Sequence, residues 1–181
     1  NQGSVVALPF QFDAGVQRLR VNPADGQVYV VGLTGWDAEA TERDGNLSRV
    51  RYTGRPAYLL TETHVRNDGI ELVFSFELDA ESAAAVANYT VERWNYRWTS
   101  NYGSAHWSLD NPGVTGNDAV RVRSAVVAED RRSVLLMMDD VRPVDQMMIR
   151  MDITASNGTP YKEVTYLTVH RVPGSQDIPE R

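Results

Sequence analysis

A chain of 181 residues with 42% hydrophobic side chains can bury a core without disulfide or metal staples, and it contains no cysteine. That absence excludes a disulfide framework, a thiol nucleophile, thiolate zinc, iron–sulfur clusters and covalent haem attachment, so no cofactor is expected. Twenty-four acids against 18 Lys and Arg give a net charge of −6 and a pI near 5.0, which argues against a nucleic-acid partner.

No run approaches the ~18 apolar residues of a membrane helix, and the first residues lack the basic and apolar regions of a signal peptide. The expectation is a soluble piece of a larger parent protein, without a membrane partner. Lys162 is the single lysine, and the acid excess falls after residue 56, since residues 1–56 balance six Arg with six acids.

Short alternating runs separated by turn residues, without an amphipathic helix of ordinary length, predict an all-β chain. Strands are expected at 5–12, 17–21, 27–33 and 47–52. Asn22-Pro23-Ala24-Asp25-Gly26 joins the second to the third, because proline fixes φ early in the turn and Gly26 accepts a positive φ where the chain reverses. Asp44-Gly45-Asn46 follows a looser stretch at 35–43. Four antiparallel strands in series make a meander like one propeller blade, a unit that needs neighbours to cover its faces.

Thr53-Gly54-Arg55-Pro56 marks the boundary, since strand residues stop there and Pro56 cannot donate to a ladder. A second unit, 57–172, follows with strands at 58–65, 70–76, 88–98, 119–128, 133–138, 147–155 and 165–170. Seven strands with a turn every dozen residues or so predict an immunoglobulin-like β-sandwich. Residues 79–86 are expected to form one helical turn, and 173–181 a polar tail.

The run Asp68-Gly69-Ile70-Glu71-Leu72-Val73-Phe74-Ser75, with Leu78-Asp79 and Asn88-Tyr89-Thr90-Val91, resembles bacterial Ig-like domains carrying a G-I-x-L-x-F-S, L-D, N-Y-x-V pattern. Leu8-Pro9-Phe10-Gln11-Phe12, the stretch from Asn22 to Trp36, Arg49-Val50-Arg51-Tyr52-Thr53-Gly54 and Asn95-Tyr96-Arg97-Trp98 also resemble a family of large exported bacterial proteins. In that family a sorbosone-dehydrogenase-like propeller is combined with other modules, sometimes a cytochrome c domain, and the likeness is to its C-terminal region. The resemblance implies an extracytoplasmic accessory region. It implies no dehydrogenase activity, because a catalytic propeller surrounds its channel with several blades and this chain offers at most one.

Tyr89, Trp94, Tyr96, Trp98, Tyr102 and Trp107 concentrate aromatic residues in one segment. Alternation puts Tyr89 and Val91 on one strand face and Trp94, Tyr96 and Trp98 on the other. Either a bulge near Glu92 turns the three rings inward, or the register is unbroken and they form an outward row. Rings two residues apart lie ~7 Å from each other, a spacing suited to successive sugar rings. Pyranose C–H faces would pack on Trp94, Tyr96, Trp98, Tyr102 and Trp107, with Asn95, Arg97, Asn101, Tyr102 and Ser104 supplying hydrogen bonds at the edge.

Carbohydrate binding by this segment, without catalysis, is the expected function, and a polysaccharide or oligosaccharide the expected partner. The alternatives are burial of the same rings where the domain braces a propeller-type oxidoreductase, and a glycan-active lyase or hydrolase. On the last reading Glu71 and Glu77, Glu92 and Glu163, or Asp139 and Asp152 would pair as catalytic carboxylates, and nothing selects among them.

Fainter patterns remain. Arg18 and Arg20 share a strand face, as do Arg49 and Arg51, so four arginines gather if the faces coincide; pairing with Asp13, Asp25 or Glu42, or simple solvation, is the plainer outcome. His64, His106 and His170 show no metal-ligand spacing. Asp139-Asp140 and Asp79 with Glu81 suit calcium only weakly. The five methionines at 137–151 fit packing on both sides of a sheet.

Overall fold

The computed structural model describes residues 2–34 and 44–174. The loose stretch at 35–43, with Trp36 and Glu42, and the tail from 175 onward lie outside the described residues. The chain divides into two compact units, Leu8–Pro56 and a larger one made of Asn1–Ala7 with Ala57–Arg181.

Strand β1 (Ser4–Val6) belongs to the larger unit. The smaller unit then supplies β2 (Val16–Val21), β3 (Val28–Leu33) and β4 (Gly45–Val50). The larger one resumes with β5 (Leu60–Val65), β6 (Gly69–Phe74), the short helix α1 (Ala80–Ala84), β7 (Tyr89–Trp94), β8 (Asp118–Ala119), β9 (Val122–Val127), β10 (Ser133–Met138), β11 (Val144–Thr154) and β12 (Pro160–Val169). All strand pairings are antiparallel.

The larger unit is a two-sheet sandwich, β5-β6-β10-β9 against β1-β12-β11-β7-β8. With β5 as strand A, this is the A-B-E-D and G-F-C-C′ order of an immunoglobulin-type fold, and β1 extends the G edge. Alternate residues build the core: Ile70, Leu72 and Phe74 on β6, Val134, Leu136 and Met138 on β10, Met147, Ile149, Met151 and Ile153 on β11, and Leu167 and Val169 on β12 are all buried. Gly69 is required where β6 meets β10, since a Cβ there would collide with the Leu136 carbonyl. Asp79 caps α1 by accepting the Ser82 amide at 2.8 Å, and the Tyr89 hydroxyl donates to the Ala83 carbonyl at 2.8 Å, fixing the helix to β7.

The smaller unit is a three-stranded sheet, β2-β3-β4. Its hairpin from β2 to β3 forms on the expected turn, where Gly26 sits at φ 66° and donates to the Asn22 carbonyl at 2.8 Å.

Three sequence expectations change. The first strand is Ser4–Val6 and pairs with β12, Val5 opposite Tyr166, so the meander has three strands and not four; Pro9 ends ladder donation, and the open edge of β12 takes up the residues before it. The strand expected at 119–128 is divided between sheets: Ala119 pairs with Glu92 on β7, while Val122–Val127 pairs with β10. Val120 and Val122 are both buried at this crossing. Lastly, the strand expected at 88–98 stops at Trp94, where a different local structure takes over.

Candidate functional site: an aromatic loop on a braced base

Strand β7 runs in unbroken register beside β11, from Tyr89 opposite Met151 to Trp94 opposite Gln146. There is no bulge near Glu92. Tyr89, Val91 and Arg93 therefore share the core-side face, and Trp94 points to the other.

Arg93 continues an apolar series with a charge and is nonetheless buried. Its guanidinium reaches Asp110 at 2.8 Å, Asp140 at 2.7 Å and the Asp140 carbonyl at 3.0 Å. Arg142 pairs with the same two carboxylates. A buried cation is tolerated when it is paired and hydrogen-bonded in this way, and the cluster ties residues 108–111 to the turn at 139–142.

Beyond Trp94 the backbone makes a small antiparallel extension. Asn95 and Trp107 exchange both amide–carbonyl bonds, at 2.8 and 2.9 Å, and Gly116 and Ser108 donate to His106 and Val114 at 3.0 Å each. Asp118 gathers its base, accepting from the Ser108 hydroxyl and the Leu109 amide at 2.6 Å and from the Asp110 amide at 3.0 Å. Partial burial pushes the Asp118 carboxyl up, but these bonds and the charge of Arg93 outweigh it and hold the group below its ordinary value. On the opposite side Tyr96 donates its amide to Asp145 at 2.8 Å, and Asp145 donates its own to Asn95 at 3.0 Å.

The seven candidate residues divide into support and surface. Trp94 is only 4% exposed; it stacks on His106 at 4.2 Å between centroids with an interplanar angle of 12°, and Tyr166 meets its edge at 6.4 Å. Trp107 lies half-buried under the Arg97 guanidinium, 3.8 Å from the ring centroid, a cation–π contact. Tyr96 is 43% exposed and edge-on to His106. Trp98 and Tyr102 are fully exposed. Tyr96, Arg97, Trp98, Asn101 and Tyr102 line one open depression of about 740 Å³, and Trp94 and Trp107 do not. Ser104, accepting the Arg97 amide at 2.9 Å, narrows the loop behind them.

The outward row expected for an unbroken register is thus interrupted at its first ring, because the 105–117 segment folds over Trp94. Sequence reasoning missed the covering residues. His106 bonds Asn117 through Nδ1 at 2.7 Å, and Asn117 donates to Glu92 at 2.8 Å. Arg93 was legible as a charge in an apolar phase; its partners, 17 and 47 residues away, were not.

The fainter patterns lead elsewhere. Asp139 pairs with Arg123 at 3.2 Å, Asp140 with Arg93 and Arg142, and Asp79 caps α1, so three of the four residues considered for calcium are committed to other partners. Among the described residues no group of three His, Asp or Glu side chains is placed to hold a metal. Of the carboxylates considered for glycoside cleavage, Glu71 bonds Arg66, Glu77 bonds Arg131, Asp152 bonds Lys162 and Glu92 accepts from Asn117. Comparison with protein-family models, curated proteins and solved structures returned no match to this chain.

Proposed function

We propose that the chain is a carbohydrate-binding accessory module of an exported bacterial protein, with residues 96–104 as its platform. The observation that carries this reading is the contrast between exposed rings and a fixed base. Trp98 and Tyr102 stand wholly in solvent on a loop whose stem is held by paired backbone bonds, Asp118 and the Arg93 cluster. Exposing large apolar rings forgoes the roughly 1.5–3 kcal/mol that burying such a side chain provides, and a contiguous exposed patch marks an interaction site. A sugar ring offers what this surface takes, C–H faces for the rings and hydroxyls for Arg97 and Asn101. Among the described residues no helix is long and apolar enough to cross a membrane. The extracytoplasmic placement rests on the resemblance to exported proteins.

Titration with a panel of oligosaccharides, followed by tryptophan fluorescence, tests the platform. Trp98→Ala and Tyr102→Ala should each weaken binding about tenfold or more, the loss of one stacked ring, without moving the unfolding midpoint. Trp94→Ala, by contrast, removes a buried ring and should destabilise the sandwich by about 3–5 kcal/mol. Wild-type protein that binds no member of the panel, or Trp98→Ala that binds as well as wild type, overturns the proposal.

A second reading, a domain that braces a propeller-type neighbour, draws on the smaller unit. Val16, Leu19, Val21, Val31, Leu33 and Leu47 are exposed there, as expected of a blade-like meander whose faces need adjoining sheets. Ring quenching by sugar favours the platform; a chain silent to every sugar and prone to associate through these residues favours bracing.

A further inference from the structure

The register of the smaller sheet brings together arginines that sequence could only place strand by strand. Arg20 lies opposite Tyr29, and Tyr29 opposite Arg49, so the three form one cross-strand row. Arg18 lies opposite Val31, and Val31 opposite Leu47, in the next row on the same face. Arg51 follows the end of β4 and is outside the row.

The three guanidinium groups of Arg18, Arg20 and Arg49 are exposed. Among the described residues Arg18 and Arg20 donate to the carbonyls beside them, Gln17 at 3.0 Å and Leu19 at 2.7 Å, and neither has a carboxylate partner. Asp25 at the hairpin turn accepts the Tyr29 hydroxyl at 2.9 Å and the Gln27 amide at 3.0 Å, and its carboxyl is influenced by Arg49. Among the described residues this face therefore gathers three cations, with Asp25 committed to its own turn, on a chain whose net charge is −6.

We infer that this face binds an acidic polysaccharide, with Arg18, Arg20 and Arg49 forking onto its carboxylates and Tyr29, Val31 and Leu47 against its sugar C–H faces. Adjacent strands are ~4.8 Å apart, so Arg20 and Arg49 sit ~10 Å apart across Tyr29, with Arg18 and Arg20 ~7 Å apart along β2. Cations at these intervals meet successive acidic groups along an extended chain, and the guanidinium fork matches carboxylate geometry. The interleaved apolar side chains Val31, 45% exposed, and Leu47, 72% exposed, favour a sugar polymer over a nucleic acid. This surface lies on Leu8–Pro56 and stands independently of the 96–104 platform.

Calorimetric titration of the full chain with oligogalacturonate, with a neutral glucan oligomer and with single-stranded DNA, at low and high salt, tests it. Oligogalacturonate should bind, and binding should weaken as salt rises. The triple variant Arg18→Gln, Arg20→Gln, Arg49→Gln should lose about tenfold or more in affinity. The triple lysine variant should keep much of it, and Trp98→Ala should leave it unchanged. All three positions face solvent, so an unchanged unfolding midpoint is expected in both triple variants. The inference is overturned by absent oligogalacturonate binding, by a glutamine variant that binds like wild type, by tighter binding of DNA, or by ligand-free dimerisation at low salt that the glutamine variant abolishes. Loss of oligogalacturonate in Trp98→Ala alone would assign the acidic glycan to the platform.

Discussion

The two units are built from similar strands and hold themselves together in different ways. In the sandwich nearly every inward position of β6, β10 and β11 is buried, because each sheet covers the other. In the smaller unit Ala14 and Val30 are the buried apolar residues among those described, while Leu19, Val21, Leu33 and Leu47 face water. Both show the alternation that marks a strand. Alternation establishes which side chains share a face; whether that face is covered depends on a second layer, and a lone three-stranded sheet has none within its own unit.

The sharpest way to break this comparison is a pair of cavity substitutions read by denaturant titration. Leu136→Ala on β10 should cost about 2–5 kcal/mol, the usual toll of a truncated core leucine. Val30→Ala on β3 should cost about 1 kcal/mol or less, since its cross-strand neighbours Leu19 and Ser48 are themselves exposed or half-buried. Equal losses would mean that the smaller sheet has a core of its own.

A smaller effect is expected inside the sandwich, where the platform joins it. Arg93→Met retains packing volume but leaves Asp110 and Asp140 facing Arg142 alone, and should cost about 1–3 kcal/mol, moderated because both carboxylates are partly exposed. Faster amide exchange across residues 95–117, with weaker sugar binding, is the accompanying readout. Arg93→Lys should recover part of both. If exchange in that segment is unchanged, the cluster does not organise the loop.

Much of the architecture was legible because strand signals are local. The turn at Asn22–Gly26, and the period-two runs of β6 and β10, need no distant partner to be recognised. The assignment of β1 was not legible, because Ser4–Val6 bonds to residues 165–167 and no local pattern announces an edge in need of a strand. The aromatic segment was legible as a concentration of rings, and phase correctly set Trp94 apart from Tyr89 and Val91. Its division into supporting and exposed rings was not, since His106 covers Trp94 through a chain reversal closed by the Asn95–Trp107 pair. The arginine face lay between these cases: alternation gave each strand's half, and only the pairing of β3 with both neighbours put Arg20 and Arg49 in one row.

The smallest predicted effect concerns acid, and it sets one carboxylate from each unit side by side. Asp118 in the sandwich and Asp25 in the small sheet are both held below the ordinary aspartate value of 3.8. A depressed folded value contributes stability that is present above about pH 3.8 and is lost as pH falls through the folded value. Asp25 is fully exposed at a turn, chiefly bonded by the Gln27 amide, so solvent screens its contribution and acid should loosen the hairpin little. Asp118 gathers the Ser108, Leu109 and Asp110 donors at the root of the platform on its two oxygens, and its protonation removes the negative charge that strengthens these bonds and puts a proton on one of the accepting oxygens. Amide exchange at Leu109 and Asp110, corrected for intrinsic rates, should therefore accelerate below about pH 3.8 while that of β10 stays protected. Asp118→Asn should show the faster exchange already at neutral pH and no further change on acidification. If acid exposes β10 together with Leu109 and Asp110, the platform's base and the sandwich core open as one unit, and the loop is as firmly fixed as the sheets beneath it.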